Sequence, residues 1–424
     1  MNYLLCIGVS AIIILIFTRF LYDTFFKPNV IFSIIWLLGT FFISINIGGI
    51  KQIRNTTYQY ILISVIMFNV GYFLLMREKN PKYEYDYLKF EFNNKTVENR
   101  IFKINSFLII ITLPFFIKML LIWLTQSFYQ VRVAAYVYSN IYEIIASRIV
   151  FWPMYAFFNI VLMLGTIKMF LGIKDYKLYL ICFFDIFYFS VITGSRNFIA
   201  KFLLYFVAAF FIGNIYSTKK VKLNIKIIII SLIIVLILNA AIRARSLGKL
   251  SPLENVVVYL FGGISYFDNI IKIEDTSMLY GRGMFGWIVS PILYIISLTG
   301  LIPNYSAEYV IGEITMNGIY ISDDFNFNAL TTAMYPLYRD FGTYGIIIGM
   351  LLYGALIAIY EKKMYKKFNL KNFMLFFTFF ITILESTQYY DMLFIRFSIQ
   401  LILICSIFNI NAPAKKGELR KDKE

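Results

Sequence analysis

The sequence predicts an all-α fold: a polytopic integral membrane helix bundle of about 11 transmembrane helices, up to 13, with one large outer loop. Two observations carry this. Hydrophobic residues make up 60% of the 424 residues and charged residues only 15%, more apolar surface than a soluble core hides from water. The apolar residues also fall in continuous runs of membrane length rather than in strand-like alternation, and in lipid only helices then satisfy every backbone group.

The runs lie at 2–21, 29–49, 58–76, 104–124, 150–171, 177–193, 197–215, 223–241, 343–360, 372–388 and 391–409. The first has no basic leader and no small-residue cleavage site behind it, so it reads as a retained helix. Orientation follows the lysines. "REKNPKYEYDYLK", "STKKVKLNIK", "EKKMYKKFNLK" and "APAKKGELRKDKE" all fall on one side of an alternating topology, which should be the cytoplasm. Residues 50–57, 125–149, the Thr193-Gly194-Ser195-Arg196 turn and the segment from about 242 to 342 then lie outside, with the N-terminus. Four regions result: an N-terminal bundle of about 8 helices over 1–241, a large extracytoplasmic loop over 242–342, C-terminal helices over 343–409 and a basic tail over 410–424. Two apolar stretches inside the loop, "NVVVYLFGGISYF" and "GWIVSPILYIISLTGLIP", are expected to form interfacial or re-entrant helices. Should both span, the count becomes 13 with sidedness unchanged.

Composition also limits the chemistry. Histidine is absent, which removes the usual general base and the commonest metal ligand. Cys6, Cys182 and Cys405 sit inside apolar runs without disulfide or zinc spacing, where a thiol behaves as a small hydrophobe. Inner lysines are explained by orientation alone, so the basic balance implies a bilayer as partner and no nucleic acid. Outer arginines are not so explained: Arg54, Arg132, Arg148, Arg196, Arg243, Arg245, Arg282, Arg339 and Arg396 all fall on the outer side or in the outer half. A guanidinium offers a rigid fork that matches phosphate or carboxylate bidentately. The set therefore points to an outer-leaflet anion such as a lipid pyrophosphate, against the plainer reading of pairing with outer carboxylates and headgroups.

Charge inside the expected spans calls for partners. Glu385 and Arg396 stand at comparable distances on either side of an expected turn near Tyr390. At 1.5 Å per residue both lie roughly 8 Å below it, and a structural ion pair is expected. Asp185, mid-span, either faces a polar cavity or hydrogen-bonds to a neighbouring helix.

The stretches "VITGSRNFIAKFLL", "NAAIRARS" and "FNALTTAMYPLYRDFGTYGIIIGMLLYGALIAIYEKK", a Thr-Gly-Ser-Arg turn between spans, an arginine pair opening a large outer segment and a charged motif entering the next span, resemble the oligosaccharide repeat unit polymerases, the Wzy-type O-antigen and capsule polymerases. The resemblance covers most of the chain in architecture and about 60 residues in motif. It implies a bacterial plasma-membrane glycosyltransferase that joins undecaprenyl-pyrophosphate-linked oligosaccharide units at the outer face, alongside a chain-length regulator and a flippase of the same pathway. By correspondence Arg196, Arg243 and Arg245 would be the functional basic residues, with Asp340 and Gly342 in the motif that ends the loop. Arg282, Arg339, Asn328 and Tyr338 are the expected substrate-binding residues. Transfer from a lipid pyrophosphate needs a departing dianion stabilised and a hydroxyl proton removed; fixed guanidinium groups supply the first without metal or other cofactor, and an outer carboxylate the second. Metal-independent transfer with inversion is expected. The base stays open among Asp340, Asp323, Asp324, Glu313 and Asp268.

Three rival readings differ in class. A flippase or other transporter of the same lipid-linked oligosaccharide would share the span count and the arginines, but usually has two repeated halves and short loops. An O-antigen-ligase-like transferase places a histidine in its large loop, and a glycan O-acyltransferase usually depends on one too; this chain has none.

Overall fold

The computed structural model describes residues 3–79, 81–126, 130–131, 134–135, 142–143, 150–194, 197–217, 251–272, 278–300, 303–315, 318–322, 326–327 and 331–409. In chain order the helices are α1 (Tyr3–Tyr22), α2 (Pro28–Ser44), α3 (Asn55–Leu75), α4 (Tyr85–Phe92), α5 (Lys95–Thr125), α6 (Phe151–Phe170), α7 (Tyr176–Thr193) and α8 (Asn197–Tyr216). They continue with α9 (Pro252–Ile270), α10 (Gly286–Ser297), α11 (Ala307–Thr315), α12 (Met334–Phe341), α13 (Thr343–Lys366), α14 (Leu370–Glu385) and α15 (Ile395–Ile407). One antiparallel pair of short strands, Ile319–Tyr320 with Asn326–Phe327, interrupts them.

Among the described residues seven helices, α1, α3, α5, α6, α7, α8 and α13, are long and apolar enough to cross a membrane. Three more expected spans correspond to shorter helices, α2 of 17 residues, α14 of 16 and α15 of 13, and the run at 223–241 lies outside the described residues. Among the described residues, the long helices carry exposed apolar faces. On α1, Ile7, Ala11 and Ile14 are buried, while Leu5, Ile12, Ile13, Ile16 and Phe20 are exposed, Phe20 by 81%. An exposed apolar face of that length belongs in hydrocarbon, and the chain is a multi-pass membrane protein.

The described residues form two compact units. The first draws on 1–80, 246–366 and 378–398. Here α3 and α13 are brought together by glycine: a Cβ on Gly71 would lie 1.9 Å from the Leu351 carbonyl oxygen, and one on Gly354 would lie 1.9 Å from that of Phe68. Small residues let backbones approach this closely, which drives helix association where lipid is as apolar as the side chains. Phe68 stacks on Phe32 of α2 at 3.8 Å and meets Tyr353 of α13 edge-on at 5.1 Å. The described residues of 251–342, the segment expected outside, belong to this same unit. Both of its apolar stretches are helical, as α9 and α10. A capping box at Ser251 and Glu254 starts α9, satisfying amides that the helix itself leaves open.

The second unit draws on 81–245, 367–377 and 399–424. At its centre α6 is buried along almost its whole length. Gly165 makes room for the thiol of Cys182 on α7, which would lie 2.4 Å from an added Cβ, so this cysteine packs as the sequence implies. Asp185 of α7 accepts a hydrogen bond from Asn105 Nδ2 of α5 at 3.1 Å, the second of the two roles expected for it. The turn after α7 ends on Gly194 at φ 56°, a left-handed conformation that glycine adopts without steric cost, and Thr193 Oγ1 bonds back to the Phe189 carbonyl at 2.7 Å.

Segments that the lysine rule assigns to one side meet each other within each unit. In the first unit, Lys27, expected inside, pairs with Glu361 at 3.0 Å, Lys79 with Asp23 at 2.9 Å and Lys362 with Glu78 at 3.7 Å. Lys51, expected outside, donates its amide to the Ile321 carbonyl at 2.8 Å. In the second unit, Lys168 joins Glu98 at 2.6 Å and Asp175 at 2.7 Å, all three expected inside.

Candidate functional site

Several of the polar groups expected on the outer side lie on or beside α12. Gly342, at φ 59° and ψ −135°, ends this helix in a region of backbone space essentially reserved for glycine. It turns the chain straight into α13. Gly345 then lets α13 approach so closely that a Cβ would lie 1.9 Å from the Leu337 carbonyl oxygen. So held, α12 buries Tyr335, Arg339 and Asp340.

Asp340 has no exposed surface. Its Oδ1 accepts the amides of Gly281 and Gly283, each at 2.9 Å, and its Oδ2 accepts that of Met284 at 2.6 Å. The carboxylate thus clamps the Gly-Arg-Gly loop. Gly283 is required there because a Cβ would sit 2.4 Å from the Pro336 carbonyl oxygen. Burial pushes the Asp340 carboxyl up from its ordinary range, and the three amides pull against that rise by favouring the charged form. Above the loop Arg282 donates from Nε to the Leu279 carbonyl at 2.9 Å and from Nη1 to that of Tyr305 at 2.7 Å. Arg339, 3% exposed, donates to the Tyr335 hydroxyl at 3.0 Å. Tyr338, on the partly open face, lies 5.6 Å from the ring of Tyr60 and 6.1 Å from that of Phe267.

Beside Tyr60, at the start of α3, stands an ion pair that sequence reasoning did not find. Asp268 Oδ1 accepts from Arg54 N and Nε, each at 3.1 Å, and from Thr57 Oγ1 at 2.6 Å. Arg54 Nη2 donates to the Asp268 carbonyl oxygen at 2.7 Å, and Lys272 Nζ lies 3.3 Å from Asp268 Oδ2. Burial would raise the Asp268 carboxyl, yet hydrogen bonds from Thr57 and Arg54 and the Arg54 charge hold it below the ordinary value. No local signal announces this pair, because the partners are 214 residues apart.

Around the connection from α14 to α15, Arg396 Nη2 lies 3.4 Å from Asp391 Oδ1, and its guanidinium sits 3.9 Å from the Phe394 ring centre. Glu385, which the sequence expects beside Arg396, accepts the Tyr389 hydroxyl at 2.7 Å. The connection contains a 3-10 turn at Asp391–Leu393, which carries a carboxylate within reach of Arg396. Glu308 of α11 accepts the Ile395 amide at 3.0 Å; burial raises its carboxyl, against that hydrogen bond and the Arg396 charge.

The structure therefore brings Asp340, Arg339, Tyr338 and Arg282 together around one helix and one loop. Arg196, Arg243, Arg245 and Asn328 lie outside the described residues, as do Asp323 and Asp324. Of the other candidate bases Asp268 is committed to Arg54, Asp340 to three amides, and Glu313 is exposed. Among the described residues no group of three or more Cys, Asp or Glu side chains is placed to hold a metal ion. Compared with protein-family models, with curated proteins and with solved structures, the chain matches none.

Proposed function

We propose that the chain is an oligosaccharide repeat unit polymerase of a bacterial plasma membrane, crossing it about 11 times with the long segment outside. It joins undecaprenyl-pyrophosphate-linked units by metal-independent, inverting glycosyl transfer. Arg196, Arg243 and Arg245 stabilise the departing pyrophosphate, while the surface around Tyr338, Arg339 and Arg282 receives the glycan. The observation that carries the reading is the clamp of Asp340 on the Gly-Arg-Gly loop. It makes the outer segment a built surface with arginines and tyrosines at set positions, as preorganised charge stabilisation requires, where a transporter's loops need only connect spans. Within this reading Asp340 positions the loop, and the base is sought among the remaining outer carboxylates.

Deletion of the gene tests the proposal. Single repeat units on the carrier or at the outer face, without long polymer, are expected; units trapped on the inner face would establish the flippase reading instead. Arg196→Lys in a well-expressed protein should also abolish long chains, since lysine keeps the charge but loses the planar fork. Normal polymer length from that variant would remove Arg196 from the chemistry.

A further inference from the structure

We infer that Arg54, with Tyr60 and Tyr338, forms a binding site for a phosphoryl group at the outer face. The geometry of the guanidinium carries it. Nε donates to Asp268 Oδ1 and Nη2 to the Asp268 carbonyl oxygen, so the side-on edge of the fork is taken and the plane is fixed. The end-on edge, which includes Nη1, has no partner among the described residues, and the side chain is 44% exposed. An arginine held by one edge and open at the other presents two parallel N–H donors to an incoming oxyanion without further ordering.

Charge balance points the same way. Among the described residues Asp268 is answered by two cations, Arg54 and Lys272, so these three side chains together carry one positive charge. Beside it, the partly open rings of Tyr60 and Tyr338, 5.6 Å apart, form an aromatic wall on which a sugar or prenyl group next to the phosphate can lie. Tyr338 comes from the helix that also holds Arg339 and Asp340, which joins this site to the surface described above. That the phosphoryl group is the pyrophosphate of the lipid-linked donor or acceptor rests on the polymerase reading; the binding of a phosphoryl group does not.

The test uses the full-length protein in phosphatidylcholine nanodiscs, with farnesyl pyrophosphate as the probe and inorganic pyrophosphate as competitor. Wild type should bind the probe and release it to pyrophosphate, and Arg54→Lys should weaken binding at least about tenfold, the loss expected when a bidentate charge-assisted pair becomes a single contact. The lysine keeps a cation on Asp268, so the variant should remain monodisperse even where Arg54→Gln aggregates. Unchanged affinity in a monodisperse Arg54→Lys sample overturns the site. Nanodiscs containing phosphatidylglycerol separate the sources of phosphate: abolition of probe binding by that lipid would show an ordinary headgroup site and refute the pyrophosphate assignment, whereas persistence supports it. The two proposals fail separately. Arg54-dependent binding in a protein whose deletion traps units inside leaves the site and removes the polymerase; Arg54-independent binding with loss of polymer on deletion does the reverse.

Discussion

Asp340→Ala removes the acceptor of three backbone amides at once, those of Gly281, Gly283 and Met284. A buried donor left without a partner costs about 1–3 kcal/mol. The Gly283 and Met284 amides are in buried surroundings and count in full; that of Gly281 is partly buried and counts for less. A water entering the space vacated by the carboxylate offsets part of this, which leaves a net loss of about 3 kcal/mol, a large share of the usual 5–15 kcal/mol. Asp340→Asn is milder. Its amide oxygen still accepts from Gly281 and Gly283, while its NH2 faces the Met284 amide, so one bond is lost at about 1–3 kcal/mol. Thermal unfolding of purified protein in detergent, read by intrinsic fluorescence, should rank wild type above Asn and Asn above Ala, with the yield of monodisperse protein falling in the same order. A general base would behave otherwise: its removal stops turnover and leaves unfolding alone. An Asp340→Ala protein that melts with wild type and is merely inactive would refute the clamp and return Asp340 to the chemistry.

Three further outcomes follow from the geometry. Lys27→Met removes the cation 3.0 Å from buried Glu361, whose carboxylate also accepts the hydroxyls of Tyr72 and Tyr365, and should destabilise by about 3 kcal/mol, much of it recovered in Lys27→Met/Glu361→Gln; additive losses would show that the two do not act as a pair. Gly354→Ala should part α3 from α13 and cost about 1–3 kcal/mol, whereas Gly312→Ala, with nothing within 4 Å of an added Cβ, should be neutral or slightly stabilising; equal melting of the two variants would refute the close contact. The Asp268 carboxyl is held below its ordinary value, so it adds stability above the unfolded value of about 3.9 that is lost as pH falls through the folded value. Unfolding midpoints should therefore drop on acidification below about pH 4, and Asp268→Asn should lack that part of the drop; an identical acid limb in both proteins would count against the pair.

Much of the fold was legible in the sequence because its signals are local. A run of about 20 apolar residues is helical in lipid for backbone reasons that need no partner, and seven of the eleven expected spans have that length in the structure. Lysine bias assigned loops to sides from sequence alone, and the ion pairs and hydrogen bonds cited within each unit join segments of like assignment. The turn at Thr193 and Gly194 is set by short-range chemistry and appears as such. Arginine was distinguishable from lysine as an anion fork by its own geometry, which singled out Arg54, Arg282 and Arg339 as residues to explain.

What each charge does was decided by the tertiary structure. Asp340 reads from its motif as a candidate base, yet the loop it clamps lies some sixty residues earlier, and only the return of α12 onto that loop turns a carboxylate into a clamp. Arg396 was matched to Glu385 by helical rise alone; that Asp391, on the 3-10 turn at Asp391–Leu393, lies 3.4 Å from Arg396 is decided by the connection's own fold. Arg54 and Asp268 are 214 residues apart, and nothing near either in sequence names the other. Helix formation in lipid depends on neighbours one turn away; the pairing of buried charges depends on which helices pack together, and here glycine contacts such as Gly71 on Leu351 and Gly354 on Phe68 set that packing.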